Sequence, residues 1–431
     1  MKAVKIILHL LSEFIQGRTQ ILSAENRKNN EITHYYYEIV RYWSKLNFII
    51  NKTLRSLEKN LHVEKELLLY TTYRVMFEKA KIQDILMEVD QNEKLLIYLK
   101  RLENFSWTIA LKGKMKVEAL SISEAIPSFF IERLLPVMKY SFLKKNIRMM
   151  NQYHSQNSLS LRVNSLAFNK PLKEILKLIE SDLQKEGIKI KQDKEIPYIL
   201  HIQAKYKSKI ITSKWYRDNV LVFQDKGSAA IVGLLKPFKK EYICDLCAAP
   251  GIKSSLIMQL SNKQSRLLCN DFSKSRLQFT KAFFLNMKVL NTFLLNSDGI
   301  NLPVKLGIRF DKILVDAPCT GSGTFISTPE LKWRQNYAFL NQCVTIQKKL
   351  IQSSLNLLKS GGILVYSTCS LYPEEGEYQI NEIYDQISPL DLPEYFSPSY
   401  KINNKVLKGT GRLFPSIHNT QGFFVSRLKK K

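Results

Sequence analysis

The chain reads as a three-part protein: an all-α bundle over residues 1–130, a small α+β linker module over 131–215, and an α/β domain over 216–431 on a mainly parallel, doubly wound sheet. Three observations predict this. A length of 431 residues exceeds what one core usually holds. Glycine is nearly absent from the first part, with only Gly17 and Gly113, as suits packed helices. Beyond Lys226, apolar strand-like runs alternate strictly with helical stripes.

In the first part, Leu69, Tyr73, Met76 and Ala80 recur at helical spacing between Glu66 and Ala80. Pro127 and Pro136 frame a further amphipathic piece with Phe129, Phe130, Leu134 and Leu135. The middle module opens with a strand over Ser158–Asn164. A helix with Leu172, Ile175, Leu176, Ile179 and Leu183 on one face follows, then strand-like runs Tyr198–Ala204 and Val220–Phe223. In the third part the strands are Tyr242–Leu246, Arg266–Asp271, Thr292–Asp298, Lys312–Asp316, Ile363–Ser367 and Phe423–Ser426. The longest helix between them carries Leu340, Val344, Ile351, Leu355 and Leu358 on one stripe, and Gly361-Gly362 is expected as its C-cap.

Charge narrows the partner. Lys and Arg number 65 against 38 Asp and Glu, a net charge of +27. A field of that sign attracts polyanions and points to a nucleic acid, without choosing RNA or DNA. No run reaches the roughly 18 apolar residues of a membrane span, and the Ala3–Leu11 stretch, interrupted by Lys5 and His9, reads as a buried helix. The six cysteines all lie in the C-terminal half, so they do not staple a small secreted domain. A soluble, cytoplasmic protein with free thiols is expected.

Ligands of doubly wound sheets sit beyond the carboxyl ends of the strands, and the chemistry-bearing residues collect there. The first strand of this part runs into Asp245-Leu-Cys-Ala-Ala-Pro-Gly-Ile-Lys253, whose small residues let backbone approach a ligand. The next strand ends at Asp271, where an acid can bind both hydroxyls of a ribose, and the third at Asp298, placed to meet an adenine edge. A nucleoside cofactor fits this set, although each Asp alone is an ordinary turn or cap residue. The fourth strand leads into Asp316-Ala-Pro-Cys-Thr-Gly-Ser-Gly323 and the fifth into Tyr366-Ser-Thr-Cys-Ser370. Two sheet positions thus deliver one cysteine each, Cys319 and Cys369, to the same edge, where a thiolate serves as a nucleophile. Cys244, Cys269 and Cys343 sit in apolar periodic stretches and read as core. Cys244-x-x-Cys247 has zinc spacing, but no second pair or nearby His completes four ligands, so no metal is expected.

These loops resemble the RsmB/Sun family of RNA cytosine-C5 methyltransferases, also called the Fmu or NSUN type, over about residues 125–431. The ordered matches are Leu161-Arg-Val-Asn164, Phe223-Gln-Asp-Lys-Gly-Ser228, the loop Asp245–Lys253, Asp271, Asp298, Asp316-Ala-Pro-Cys319, Ser367-Thr-Cys-Ser370 with Pro373-Glu-Glu375, and the closing Arg412-Leu-Phe-Pro415, His418 and Gly422-Phe-Phe424. The resemblance implies a Rossmann-like class I methyltransferase domain and S-adenosylmethionine as cofactor. Cys247, Ala248, Ala249, Pro250, Gly251, Ile252, Lys253, Asp271, Asp298 and Asp316 would bind that cofactor. It implies Cys369 as the nucleophile on carbon 6 of cytosine, Cys319 as the group assisting release, Asp316 holding the base and Lys253 supporting the loop and the cofactor–base geometry. The first 125 residues resemble the NusB-like RNA-binding domain of RsmB-type enzymes. The implied partner is RNA, ribosomal or transfer, with a monomer as the expected state. One residue departs from the family: Ile252 stands where relatives carry a second glycine, and a β-branched side chain resists positive φ. That departure leaves open a basic RNA-binding or assembly factor with a decayed site. A DNA cytosine methylase shares the chemistry but usually places its nucleophile in the Pro-Cys motif.

Overall fold

The computed structural model describes residues 2–18, 22–57, 61–89, 93–151, 158–304 and 307–431. The chain forms two compact units: residues 1–151 with 327–335, and residues 152–326 with 336–431.

The first unit is helical. Its main helices are Lys2–Ile15, Asn30–Arg41, Trp43–Arg55, Lys65–Glu78, Glu93–Leu102 and Tyr140–Asn151. Lys65–Glu78 is buried all round over Leu68–Tyr73, and Ile7, Leu11, Ile39, Leu46, Leu69 and Leu99 are fully enclosed. The helix expected around Glu66 to Ala80 is Lys65–Glu78, ended by Lys79 in the left-handed region at φ 58°. Helical structure continues past residue 130, through Ser128–Leu134 to Asn151. The segment 327–335, far along the chain, completes this unit. Its Lys332 is fully buried, and Nζ donates to the carbonyls of Arg41 (3.1 Å) and Ala125 (3.2 Å) and to Asn151 Oδ1 (2.5 Å). Burial, then the charge of Arg41, push this amine well below the usual lysine range. Beside it, Trp333 Nε1 donates to Val40 O at 2.7 Å.

The second unit holds two sheets. The smaller is antiparallel, with β1 (Ser158–Val163), β2 (Ile190–Gln192), β3 (Ile199–Gln203) and β4 (Leu221–Phe223) in the order β2-β3-β1-β4. The helix Leu172–Lys185 packs Ile175, Ile179 and Leu183 against its Leu161, Val163, Leu200 and Ile202.

The larger sheet contains β5 (Tyr242–Asp245), β6 (Arg266–Asp271), β7 (Thr292–Asn296), β8 (Phe310–Asp316) and β9 (Leu358–Thr368), followed by β10 (Ile387–Pro389), β11 (Ser397–Pro398), β14 (Thr410–Leu413) and β15 (Phe423–Lys430). Strands β12 (Lys401–Ile402) and β13 (Lys405–Val406) form a separate ribbon. The spatial order is β11-β14-β15-β9-β8-β5-β6-β7, with β10 also on β15. The five strands from β7 to β9 are parallel, and β15 and β14 extend them antiparallel. Both faces are covered. Ile243, Leu314, Val365 and Val425 point into one core, while Cys244, Ile313, Leu364 and Phe424 point into the other. That alternation is the period of two expected of strands.

Two local expectations are corrected. Gly361-Gly362 does not cap the long helix, which runs Tyr337–Leu357 and is capped by Leu358 through its N–H to Ser354 O. The glycines lie within β9, because the chain passes from helix to strand without a loop. There Gly361 takes φ 75°, and a Cβ on Gly362 would come 2.9 Å from Lys359 O. The third strand of this part stops at Asn296, and Asp298 caps a short turn, accepting from Ile300 N at 2.9 Å.

Candidate active site

Strand β5 ends in a buried carboxylate. Asp245 accepts from Ser254 Oγ at 2.6 Å, and its Oδ1 has no partner among the described residues. Burial pushes its carboxyl up to about 7 against that stabilising hydrogen bond. The loop that follows is pinned by its neighbours: Ala248 N donates to Asn270 O at 2.8 Å, and Ala249 N to Asp271 Oδ2 at 3.0 Å. The loop's one left-handed residue is Gly251, at φ 93°, where a Cβ would approach Phe284 and Thr280 to 2.8 Å. Ile252 is the first residue of the helix Ile252–Leu260 and is not at positive φ. A β-branched residue therefore meets no backbone strain there, and the departure at this position costs the loop nothing sterically.

That helix is held from behind. Arg162 on β1 is fully buried, with Nη1 donating to Gln259 Oε1 (2.8 Å) and Nη2 to Ser255 Oγ (2.7 Å). Burial draws its guanidinium down to about 9. Asp271, at the end of β6, accepts from Ala249 N and from Ser273 N, the latter at 2.9 Å.

At the ends of β8 and β9 the register pairs Asp316 with Ser367, and Ser367 Oγ donates to Asp316 Oδ1 at 2.8 Å. Three residues beyond one and two beyond the other stand Cys319 and Cys369, whose sulfurs lie 2.9 Å apart. The hydrogen bond with Cys369, then burial, push the Cys319 thiol well above its ordinary range. Lys253 Nζ reaches Asp316 Oδ2 at 2.6 Å. Burial works against the charge on this lysine, but Asp316 outweighs it and the ammonium is held above the usual range.

Two buried carboxylates brace the cysteine loops. Glu375 accepts from Thr320 N (2.8 Å), from Thr320 Oγ1 and from Gln347 Nε2 (2.9 Å). Its backbone carbonyl accepts from Tyr366 OH at 2.8 Å. Burial raises its carboxyl. Glu377 takes a two-pronged contact from Arg412, Nε to Oε1 at 2.7 Å and Nη2 to Oε2 at 2.5 Å. The same guanidinium donates to Ser370 O (3.1 Å) and Tyr372 O (3.3 Å), directly after Cys369. Gly323 and Gly422 lie back to back, with Gly422 N on Gly323 O at 2.9 Å, and Gly323 N donates to Cys369 O at 2.9 Å.

A cavity of about 260 Å³ opens among these loops. Of the residues singled out from the sequence, Cys247, Ala248, Ala249, Pro250, Ile252, Lys253, Asp316 and Cys369 line it. Cys319 adjoins through its contact with Cys369, whereas Gly251, Asp271 and Asp298 stand outside the lining. Sequence reasoning did not assign site roles to Phe223, Gln224, Asp225, Ser228, Thr324, Gln421 or Phe423, which complete the wall, nor to Glu375 and Arg412 behind it. Gln224 carried one readable signal: a polar residue directly past a strand's carboxyl end. Cys244 is buried in the core and Cys247 lines the cavity, and among the described residues no group of three or more His, Cys, Asp or Glu could hold a metal ion. No helix among the described residues is long and apolar enough to cross a membrane.

Residues 232–429 match the family profile described as 16S rRNA methyltransferase RsmB/F. The chain is similar to a probable ribosomal RNA small subunit methyltransferase B of Synechocystis, 30% identical over 326 residues, which cover 74% of this chain and 71% of that protein. It is also similar to a 28S rRNA (cytosine-C(5))-methyltransferase of Mus musculus, 33% identical over 221 residues. That match covers 48% of this chain and 28% of the mouse protein. Among solved structures, the crystal structure of PH0851 aligns with a TM-score of 0.76 at 25% identity, covering 100% of this chain and 98% of that one.

Proposed function

We propose, from the premise that this chain belongs to the RsmB/F family of S-adenosylmethionine-dependent RNA cytosine-C5 methyltransferases, that it modifies a cytosine of ribosomal RNA through a covalent adduct on Cys369. The observation that carries this reading is the pair of sulfurs 2.9 Å apart, one of which, on Cys369, lies in a cavity wall that also holds Lys253 and Asp316.

The residues present fit the cofactor. Each oxygen of Asp271 accepts one backbone N–H and retains a lone pair for a ribose hydroxyl, and the small residues 247–251 let backbone approach a ligand. With Ile252, Lys253, Asp298 and Asp316, these residues make up the proposed binding set. Bound S-adenosylmethionine supplies the electrophilic methyl group.

The rest is work for the chain. Carbon 5 of cytosine is a poor nucleophile until a thiolate adds to carbon 6. The Cys369 thiolate makes that bond, and the electron pair displaced from the 5,6 double bond leaves carbon 5 nucleophilic. Asp316 holds the base by accepting from its exocyclic amine, and the Lys253 ammonium paired with it compensates the negative charge building at N3. After carbon 5 has taken the methyl, its proton passes to solvent water acting as base in the open cavity. The electrons of that C–H bond restore the double bond as the carbon–sulfur bond breaks, returning the pair to Cys369. Cys319, in contact with that sulfur, assists this release. The target must enter unstacked, so loop or single-stranded RNA is the expected form. The sequence resemblance of the first 125 residues to a NusB-like domain and the net charge of +27 support an RNA partner.

The test is methyl transfer from labelled S-adenosylmethionine to small-subunit ribosomal RNA from cells lacking the gene. Cys369→Ala is expected to abolish transfer, and Cys319→Ala to accumulate a protein–RNA adduct that survives a denaturing gel. Undiminished transfer by Cys369→Ala removes the covalent assignment. Wild-type turnover by Cys319→Ala with no adduct removes the release role.

A further inference from the structure

One group in the cavity wall is left over from this chemistry. Gln224 follows β4 and is 4% exposed, yet neither Nε2 nor Oε1 of its amide has a hydrogen-bond partner among the described residues. Buried polar atoms are rarely left so, and one that borders a ligand cavity is explained by a ligand that completes it. The polar groups beside it are already engaged. Its own backbone N–H donates to Ser160 O at 3.2 Å. The neighbouring Asp225 accepts from Gly227 N, Ser228 N, Thr420 Oγ1 and Gln421 N. The amide shares its cavity with Cys369, Asp316 and Lys253, and two aromatic rings, Phe223 and Phe423, line the same space.

We infer that Gln224 is a substrate-binding residue whose amide hydrogen-bonds the polar edge of the target pyrimidine. A carboxamide N–H can serve O2 of the ring, an acceptor that cytosine and uracil share and that the contacts of Asp316 and Lys253 leave free. A neutral ring suits a buried neutral amide, whereas the amino-acid tail of the cofactor carries two charges that an uncharged group would leave uncompensated. Because both rings carry O2, the amide serves cytosine and uracil alike. Gln224 therefore orients a pyrimidine and leaves the choice between the two bases to Asp316 and Lys253.

This inference rests on the methyl-transfer reading of the site, and its test involves no methyl transfer, so the two fail separately. The full-length protein, saturated with sinefungin, is labelled with ¹⁵N at glutamine side chains and titrated with cytidine 5′-monophosphate. The Gln224 amide pair is assigned by its loss in Gln224→Met. Expected is a shift of that pair in the wild type, and an affinity for the nucleotide weakened about tenfold in Gln224→Met, with sinefungin binding changed less than about twofold. An unmoved Gln224 pair overturns the inference, whether or not the nucleotide binds. So does a variant that loses sinefungin affinity while keeping the nucleotide, since the amide would then serve the cofactor.

Discussion

Replacing Arg412 with Met should be the most damaging single change behind the cysteine loops. The guanidinium is wholly enclosed and makes four hydrogen bonds, two to Glu377 and one each to the carbonyls of Ser370 and Tyr372. Removing it leaves an intact buried carboxylate held, among the described residues, by Tyr400 N at 2.8 Å. Breaking a buried ion pair from one side costs about 3–5 kcal/mol. For a unit of this size each kcal/mol lowers the melting temperature by roughly 2–4 °C, so a fall of roughly 6–20 °C is expected. Removing the partner as well, in Arg412→Met with Glu377→Met, takes away the stranded charge and should recover about 2 kcal/mol or more of the summed single losses. Urea unfolding followed by circular dichroism on the two singles and the double closes the cycle. A single variant costing less than about 1 kcal/mol, or a double equal to the sum of the singles, would refute the assignment of this pair as a mutually dependent brace.

Three further outcomes follow from the same geometry. Asp245 holds a proton in the folded chain that its unfolded form, near 3.9, gives up; stability should therefore fall as pH rises from about 4 to about 7, by about 4 kcal/mol in all. Asp245→Asn should abolish that slope in melting-temperature scans against pH, and an unchanged slope counts against a raised carboxyl. Gly323→Ala places a Cβ 2.1 Å from Gly422 O, so backbone must move; a loss of about 1–3 kcal/mol and displaced cysteine loops are expected, and wild-type thermal stability would show the contact to be loose. Glu375→Gln weakens the clamp on Thr320 without touching a reacting atom, so turnover should drop about tenfold to a hundredfold with the cofactor affinity unchanged. Equal turnover would show that Thr320 needs no anchor.

Much of this was legible in the residues themselves. Alternation of Ile243 with Cys244 and of Leu364 with Val365 into opposite cores follows from a parallel sheet covered on both faces. The cysteines were legible as a pair because β8 and β9 are adjacent and end in step, at Asp316 and Ser367. Less visible was everything that acts across long separations. Arg412 meets Glu377 from 35 residues away and Glu375 meets Thr320 from 55, and nothing local marks either as a partner. Gly361-Gly362 misled because the same residue type that ends a helix also permits the left-handed turn found inside β9. The burden on Ile252 vanished for a geometric reason: the loop spends its positive φ one residue earlier, at Gly251.

The buried amine of Lys332 has a consequence for how such a chain is made. Synthesis proceeds from the N-terminus, so the helices through Asn151 emerge long before the nine residues that finish their unit. Until residue 335 is out, the carbonyls of Arg41, Ala125 and Val40 lack the side chains that satisfy them in the finished unit. The helical unit is therefore complete only once residue 335 has been made. Excising residues 1–151 to obtain a smaller enzyme would not free a self-sufficient domain; it would strand Lys332 and Trp333 on a segment that begins only eight residues beyond Cys319.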